Sequence, residues 1–138
     1  MSAVKLGRSD TCTKADARVR LKAARKYMEA AEMLEGEAKE GVGESASVAV
    51  TLAILSGIAS TDVACCVRLN KRPRDDHHKA AEFLNQMPDG KTAAKSLTDL
   101  ISLKDTASYG LVHVNLKELE IAMRRAKYLL TFAERVFN

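Results

Sequence analysis

Two charged residues lie where the hydrophobic pattern of the sequence calls for apolar side chains. In the segment "LISLKDTASYG", Lys104 follows Leu97 and Leu100 at helical spacing along an apolar seam. Asp62 interrupts the apolar face of residues 45–70 in the same way. A buried charge is costly unless it is paired or hydrogen-bonded. Asp62 and Lys104 therefore form either a structural ion pair or part of a polar site cut into the core, where a lysine can hold a phosphate.

A histidine and a tyrosine supply further side chains that are capable of chemistry. His77 is predicted to face the core, either as a hydrogen-bonded core residue or as an acid–base group. Tyr109 lies five residues after Lys104, directly before a glycine that ends the helical pattern. A tyrosine hydroxyl ionises only well above neutral pH, so it makes a poor general base. The candidate catalytic residues are Asp62, His77, Lys104 and Tyr109.

The turn "RLNKRPR" is a dense basic cluster that contains Arg72 and Arg74. Because no aromatic residues are interleaved, the turn has no stacking platform for single strands, so any contact with nucleic acid would be made through phosphates. The candidate phosphate-binding residues are Lys104, Arg72 and Arg74.

The run "DDHH" at residues 75–78 contains four potential metal ligands. Consecutive side chains at a helix start cannot all point at one ion, and no second cluster supplies further ligands, so we predict no metal site. Instead Asp75 or Asp76 is expected to cap the helix that follows. The sequence has no Gly-rich phosphate loop and no nucleophile elbow, and we predict no cofactor.

The elements that position these residues are predicted to be helices. Aromatic residues make up only 4% of the chain, β-branched clusters are few, and apolar residues recur every three or four positions. We predict an all-α fold, an antiparallel bundle of four main helices plus one short helix. The helix over residues 45–70 is expected at the centre because it is apolar nearly all round. Residues 1–14 are predicted to be a disordered lead-in, and a helix is predicted over residues 91–108.

Charge and cysteine content bound the cellular setting. The net charge of +4 permits contact with a polyanion without requiring one. Cys12, Cys65 and Cys66 show no metal-site spacing and no plausible disulfide framework, which favours reduced thiols. No secretory signal is visible, and the longest apolar run is shorter than the roughly 20 residues that a bilayer needs. We therefore expect a soluble cytoplasmic protein that makes no contact with a membrane.

Four segments, taken in order, resemble the HEPN superfamily, the nucleotide-binding helical bundles of higher eukaryotes and prokaryotes. They are "ARVRLKAARKYMEAAEML", "VAVTLAILSGIASTDVACCVRLN", "HHKAAEFL" and "LTDLISLKDTASYG", the last followed by a long helix. The likeness covers residues 16–138 in helix order and is greatest to small stand-alone prokaryotic members. It implies a single HEPN-like helical domain over residues 15–138.

Many HEPN proteins are metal-independent endoribonucleases, often toxins or defence effectors, that act as homodimers. Their signature is an arginine followed four to six residues later by a histidine, just ahead of the last long helix, and Lys104 and Tyr109 stand at those two positions here. The resemblance implies a homodimer that engages RNA or a nucleotide through an altered site, in a toxin–antitoxin or defence context with a cognate protein partner. Two alternatives stay open, an active metal-independent endoribonuclease and a non-catalytic helical interaction module.

Overall fold

The computed structural model describes residues 9–74, 76–109 and 113–138, and these residues are mostly helical. The helices are α1 (Lys14–Lys39), α2 (Ser45–Leu69), α3 (His77–Asn85), α4 (Lys91–Ser102), α5 (Lys104–Tyr109) and α6 (Leu116–Phe137). Two short strands, β1 (Ser9–Thr11) and β2 (Lys71–Pro73), pair in an antiparallel ribbon. The predicted all-α helical bundle is confirmed.

The central helix of the bundle is α2, which packs against α1 and α6. Gly57 allows this close packing, because a Cβ atom at that position would lie 2.6 Å from Leu100 Cδ1 on α4 and 3.1 Å from Leu129 Cδ1 on α6. By length and composition alone, α2 could span a membrane, with a mean hydropathy of 1.8 over its most apolar window. The bundle buries 72% of that window, as expected of a core helix.

One face of α2 changes character along its length. The sequence predicts a continuous core face, but Val48 is 46% exposed and Leu55 is 37% exposed. Further along the same face, Asp62 and Cys66 are buried. The second half of the face is covered by a small hydrophobic cluster, whose buried members are Cys12, Ala17, Leu21, Val63, Cys66 and Ala133. The predicted face is therefore buried in its second half, at Ala59, Asp62 and Cys66, and partly exposed in its first half.

The helices α1 and α6 begin at reciprocal capping boxes. In α6 the Asn115 side chain accepts a hydrogen bond from the Glu118 N–H group at 2.8 Å, and the Glu118 side chain accepts one from the Asn115 N–H group at 3.0 Å. Thr13 and Asp16 form the same pair at the start of α1. These bonds satisfy N–H groups that have no partner within the helix. They also fix where α1 starts, which sets the position of Arg20 in its second turn.

The predicted helix over residues 91–108 is interrupted at Leu103. The helix α4 ends at Ser102, whose hydroxyl donates a hydrogen bond to the Asp99 carbonyl at 2.8 Å. Lys104 then begins the separate short helix α5. The helical period of α4 therefore does not determine the direction of Lys104, which corrects the argument that placed it on the α4 seam. No glycine or proline marks this break, so the hydrophobic pattern predicted one continuous helix.

The chain is already ordered before residue 14. Ser9–Thr11 pair with Lys71–Pro73 as β1 and β2, in the register Ser9 to Pro73, Asp10 to Arg72 and Thr11 to Lys71. The predicted disordered lead-in of residues 1–14 is wrong over its last residues, and residues 1–8 lie outside the described part. A three-residue strand of polar residues has no hydrophobic pattern from which it could be predicted.

A disulfide bond joins Cys12 to Cys66, with their Cα atoms 5.2 Å apart. The prediction of reduced thiols is therefore wrong for these two cysteines, and Cys65 is the free, buried one. The prediction failed because spacing along the chain says nothing of two cysteines that are 54 residues apart and meet only in the folded protein. The disulfide ties the segment after β1 to the central helix.

Candidate functional site

Asp62 on α2 is held between two arginines from other elements. Its Oδ2 atom accepts a hydrogen bond from Arg20 Nε on α1 at 2.9 Å and another from Arg72 Nη1 on β2 at 2.7 Å. The Asp62 side chain is 10% exposed, whereas those of Arg20 and Arg72 are 30% and 35% exposed. Of the two alternatives left open by the sequence, the structural ion pair between Asp62 and Lys104 is therefore wrong. The buried carboxylate takes its counter-charges from α1 and from the ribbon.

The end of α2 brings Arg72 back to Asp62. Asn70 caps the helix in the left-handed conformation, with φ 58° and ψ 24°, and its N–H group donates to the Cys66 carbonyl at 3.2 Å. Asparagine tolerates this conformation better than most residues. The chain reverses there and enters β2, where pairing with Asp10 fixes the position of Arg72.

The two arginines keep hydrogen-bond donors beyond those used by Asp62. A guanidinium has five N–H groups, and Asp62 accepts from a single nitrogen of each arginine. Within the described residues, neither the Arg20 nor the Arg72 side chain has another hydrogen-bond or ion-pair partner. Asp62 thus orients two planar cations whose remaining N–H groups are free to bind an anion.

These arginines line a cavity of about 430 Å³. Its lining also includes Arg74 and Lys104, with Asp62 and Asp76 as the acidic members and His77 beside them. The Lys104 side chain makes no hydrogen bond or ion pair among the residues that the structure describes. Basic groups outnumber acidic ones around the cavity, so its electrostatic potential favours an anionic ligand.

Two of the lining residues have structural partners. Asp76 caps α3, where its Oδ1 atom accepts a hydrogen bond from the Lys79 N–H group at 3.1 Å, as predicted. Arg74 donates to Asp10 Oδ1 from Nη2 at 2.8 Å and from Nε at 3.1 Å. The hydrogen bond from Arg74 lowers the pKa of Asp10 below its ordinary value of 3.8. Arg74 therefore links the cavity wall to β1.

Most of the candidate residues predicted from the sequence meet at this cavity. Five of them line it: Asp62, Arg72, Arg74, His77 and Lys104. Tyr109 is the last residue of α5, but its side chain lies outside the described part of the structure. The sequence analysis missed Arg20, since it lies among other basic residues of α1 and nothing in their spacing distinguishes it. The one available signal was the need of Asp62 for a counter-charge.

The chemistry open to this site is anion binding, with an imidazole that can transfer protons in the same lining. The paired guanidinium groups can bind two oxygens of a phosphate, and the Lys104 ammonium can bind a third as a point charge. The His77 imidazole is the side chain in the lining best suited to proton transfer near neutral pH. Within the described ranges, no group of three or more His, Cys, Asp or Glu residues could hold a metal ion.

Searches against protein-family models, curated proteins and solved structures find no match to this chain.

Proposed function

We propose that this protein is a HEPN-like helical protein that binds phosphate groups of RNA or of a nucleotide in the cavity lined by Arg20, Arg72 and Lys104. The observation that carries the proposal is the cluster in which Asp62 orients two arginines while their other donors stay free. Free Lys104 on the same cavity wall adds a third positive charge. This arrangement suits the phosphate group, whose several oxygens can accept from two guanidinium forks at once.

The size of the cavity and the resemblance of the sequence support a nucleotide or RNA rather than a bare inorganic anion. A volume of about 430 Å³ lies within the range of about 300–1,000 Å³ that is typical of small-molecule sites. Lys104, which stands where HEPN sequences carry their signature arginine, is part of the lining. The wider proposal from the same resemblance is a cytoplasmic homodimer in a toxin–antitoxin or defence system, with a cognate protein partner.

Binding can be tested by fluorescence anisotropy with a 5′-labelled single-stranded RNA, with AMP and ATP as competitors. Lys104→Met should weaken RNA binding several-fold and reduce the slope of log affinity against log salt by about 1. Lys22→Met is the matched control, because Lys22 is exposed on α1 and is not part of the cavity lining. Arg20→Lys keeps the charge but removes the planar fork, so it should also weaken binding.

The outcome that would overturn the proposal is equally specific. If the wild-type protein binds neither the RNA nor either nucleotide at low salt, the phosphate-binding function is wrong. The cluster around Asp62 would then only fix packing, as expected for a non-catalytic helical interaction module. Equal losses for Lys104→Met and Lys22→Met would mean that general surface charge, and not the cavity, attracts the RNA.

A metal-independent endoribonuclease is the second candidate function. The observation that favours it is the presence of His77 in the same lining as Lys104, since an imidazole can transfer the protons that RNA cleavage requires. Labelled RNA should then be cleaved in the presence of EDTA, and His77→Gln should abolish cleavage while RNA binding is retained. Intact RNA after incubation with excess wild-type protein would rule out this activity.

The homodimer is tested by light scattering over a dilution series. Val48 and Leu55 leave part of α2 apolar and exposed, which is compatible with a shared surface. A mass corresponding to one chain at every concentration would contradict the dimer and leave the binding proposal standing.

A further inference from the structure

A second cavity is lined by both cysteines of the disulfide and by the same two arginines. It has a volume of about 380 Å³, and its charged lining residues are Arg20, Arg72, Asp10 and Asp16, two of each sign. The two cavities therefore share these arginines. Cys12, which lies outside the helices, retains 5% of its exposure, against 1% for Cys66 on α2.

We infer that the Cys12–Cys66 disulfide is a thiol–disulfide exchange site for a small thiol, and that its reduction weakens anion binding at Arg20 and Arg72. The second half of this inference rests on the proposed function. The exchange itself does not, because it depends only on the disulfide and on the cavity beside it.

The exchange proceeds by attack at Cys12, the less buried of the two cysteines. A thiolate enters the cavity and attacks Cys12 Sγ, forming a mixed disulfide as the Cys12–Cys66 bond breaks and its electron pair leaves on Cys66. The Cys66 thiolate then takes up a proton. A second thiol displaces Cys12, so that the protein gains two thiols and the small molecule leaves as its own disulfide. Arg20 and Arg72 line the same cavity, where a guanidinium favours the departing Cys66 thiolate.

Reduction reaches the anion site through the ribbon. The Cys12 N–H group donates to the Asn70 carbonyl at 3.0 Å, directly before β2 begins. The ribbon itself has three residues in each strand, and such a short pair is marginal in water without support. The disulfide supplies that support, since it anchors the segment after β1 to α2. Without it, β1 loosens from β2, and Arg72 loses the pairing that holds it beside Asp62.

The neighbouring Cys65 does not compete in this exchange. Burial, together with the nearby Asp62 carboxylate, raises the pKa of its thiol to about 12. Because the thiolate is the reactive form, Cys65 stays an unreactive thiol. The exchange is therefore confined to the pair Cys12 and Cys66.

The exchange is tested on the oxidised, folded protein with 2-mercaptoethanol. Free thiols are trapped by alkylation, and they and any mixed disulfide are located by mass spectrometry. We expect a mixed disulfide at Cys12 and a reduction rate proportional to thiolate concentration, because the small thiol reaches the bond through the cavity. Arg20→Met should slow the reduction, and Lys22→Met should not. A bond that is reduced only when urea unfolds the protein would overturn the exchange site.

The link to the anion site is tested by hydrogen exchange and by RNA binding in the oxidised and reduced proteins. Reduction should speed amide exchange in residues 9–12 and 70–74, and it should weaken binding of the labelled RNA about tenfold. Cys12→Ser and Cys66→Ser should bind as the reduced protein does and ignore dithiothreitol, whereas Cys65→Ser should remain sensitive to it.

These two measurements separate the failure of this inference from the failure of the proposed function. Complete reduction, verified by mass, without faster amide hydrogen exchange in residues 9–12 and 70–74 would overturn the link between the disulfide and the anion site, whatever the RNA result. Faster amide hydrogen exchange after reduction, in a protein that binds no RNA or nucleotide in its oxidised state, would support the link and refute the proposed function.

Discussion

At the scale of single residues, the cluster of Arg20, Asp62 and Arg72 has a formal charge of +1 in a partly enclosed site. Without Asp62, the two guanidinium groups would repel each other with no carboxylate between them. Each arginine side chain is about one third exposed, so water screens part of that repulsion. The expected loss on removing Asp62 therefore lies between those of a surface pair and a buried pair, at about 1–3 kcal/mol.

Double-mutant cycles should identify the true partner of Asp62. Asp62→Leu and Arg72→Met are expected to be coupled by about 1–2 kcal/mol, because each removes the partner of the other. Asp62→Leu and Lys104→Met should be additive within about 0.5 kcal/mol, because Lys104 makes no ion pair with Asp62. Urea unfolding of the single and double variants gives both values. A larger coupling with Lys104 than with Arg72 would contradict the structure.

Acid should weaken the contact between Asp10 and Arg74. The lowered pKa of Asp10 means that the folded state favours the carboxylate, so the pair contributes stability above pH 3.8. That contribution is lost as the pH falls through the lower pKa of the folded protein. A carbon-detected NMR titration of the Asp10 carboxyl group should show a midpoint below 3.8, and Arg74→Gln should move it upward. A midpoint at the ordinary value in the wild-type protein would show that the pair does not persist in solution.

The sequence predicted which residues meet at the cavity better than it predicted their partners. The interrupted apolar face marked Asp62, and the basic turn marked Arg72 and Arg74. The partners of Asp62 could not be predicted from the sequence. Arg20 is one of several basic residues on α1, and Arg72 contacts Asp62 only because the chain reverses at Asn70. Contacts between residues far apart in the chain depend on the packing of helices, which hydrophobic periodicity does not specify.

At the scale of elements, the glycines of α1 and α2 have opposite surroundings, open in α1 and crowded in α2. Gly57 in α2 lies where a Cβ atom would press on Leu100 and Leu129, which are both fully buried. Gly36 in α1 has no atom within 4 Å of the position that its Cβ would occupy. An added methyl group would therefore overpack the first site and meet only solvent at the second.

The same substitution should have opposite signs at these two positions. Gly36→Ala should stabilise the protein by about 0.5–1 kcal/mol, through better helix propensity. Gly57→Ala gains the same propensity but adds overpacking of about 1–3 kcal/mol, so we expect a net loss of about 1 kcal/mol. Thermal and urea unfolding of the two variants measure the difference. Stabilisation by both would mean that Leu100 and Leu129 move aside freely.

Helices were predictable as elements, but their ends were less so. The capping box of Asn115 and Glu118 and the apolar character of α2 could be read directly from the sequence. The break at Leu103 could not, because leucine is a good helix former and no glycine or proline follows until residue 110. That break determines where Lys104 lies, so the element boundary mattered more for the site than the elements did.

At the scale of the whole molecule, the disulfide joins residues that are 54 positions apart. In the unfolded chain it closes a loop that contains α1 and most of α2, which removes many of the conformations that an open chain would have. For a loop of this length, the chain-entropy estimate is about 4 kcal/mol, and measured effects are often smaller. The cross-link therefore contributes a large part of the stability expected for a single domain.

Removing the disulfide should lower the free energy of unfolding by about 2–4 kcal/mol. The variant that carries both Cys12→Ala and Cys66→Ala measures this loss, and reduction of the wild-type protein measures it again without any substitution. Cys65→Ala is the control, because it removes a buried sulfur atom and leaves the cross-link in place. A loss no larger than that of the control would show that the cross-link contributes little.

The fold class could be predicted from the sequence, whereas the long-range ties that complete the molecule could not. Helical periodicity and scarce aromatic residues were sufficient for an all-α bundle. The ribbon of β1 and β2 and the Cys12–Cys66 bond join distant segments that carry no pattern of their own. The ribbon contains Arg72, and the disulfide anchors the segment next to it. The features that the sequence did not predict are therefore the ones that hold the site together.

Because α2 is so apolar, it matters that the ribosome makes this helix before one of the helices that cover it. The ribosome makes α2 well before α6, and α6 supplies Leu129 and Phe132, which are among the largest side chains of the finished core. Until then, the nascent chain carries a helix with the length and hydropathy of a membrane span and without its full cover. A chain that stops before α6 keeps that helix uncovered permanently, so it offers a target for chaperones, proteases or lipid. Premature termination should therefore be removed by quality control rather than leave a partly functional fragment.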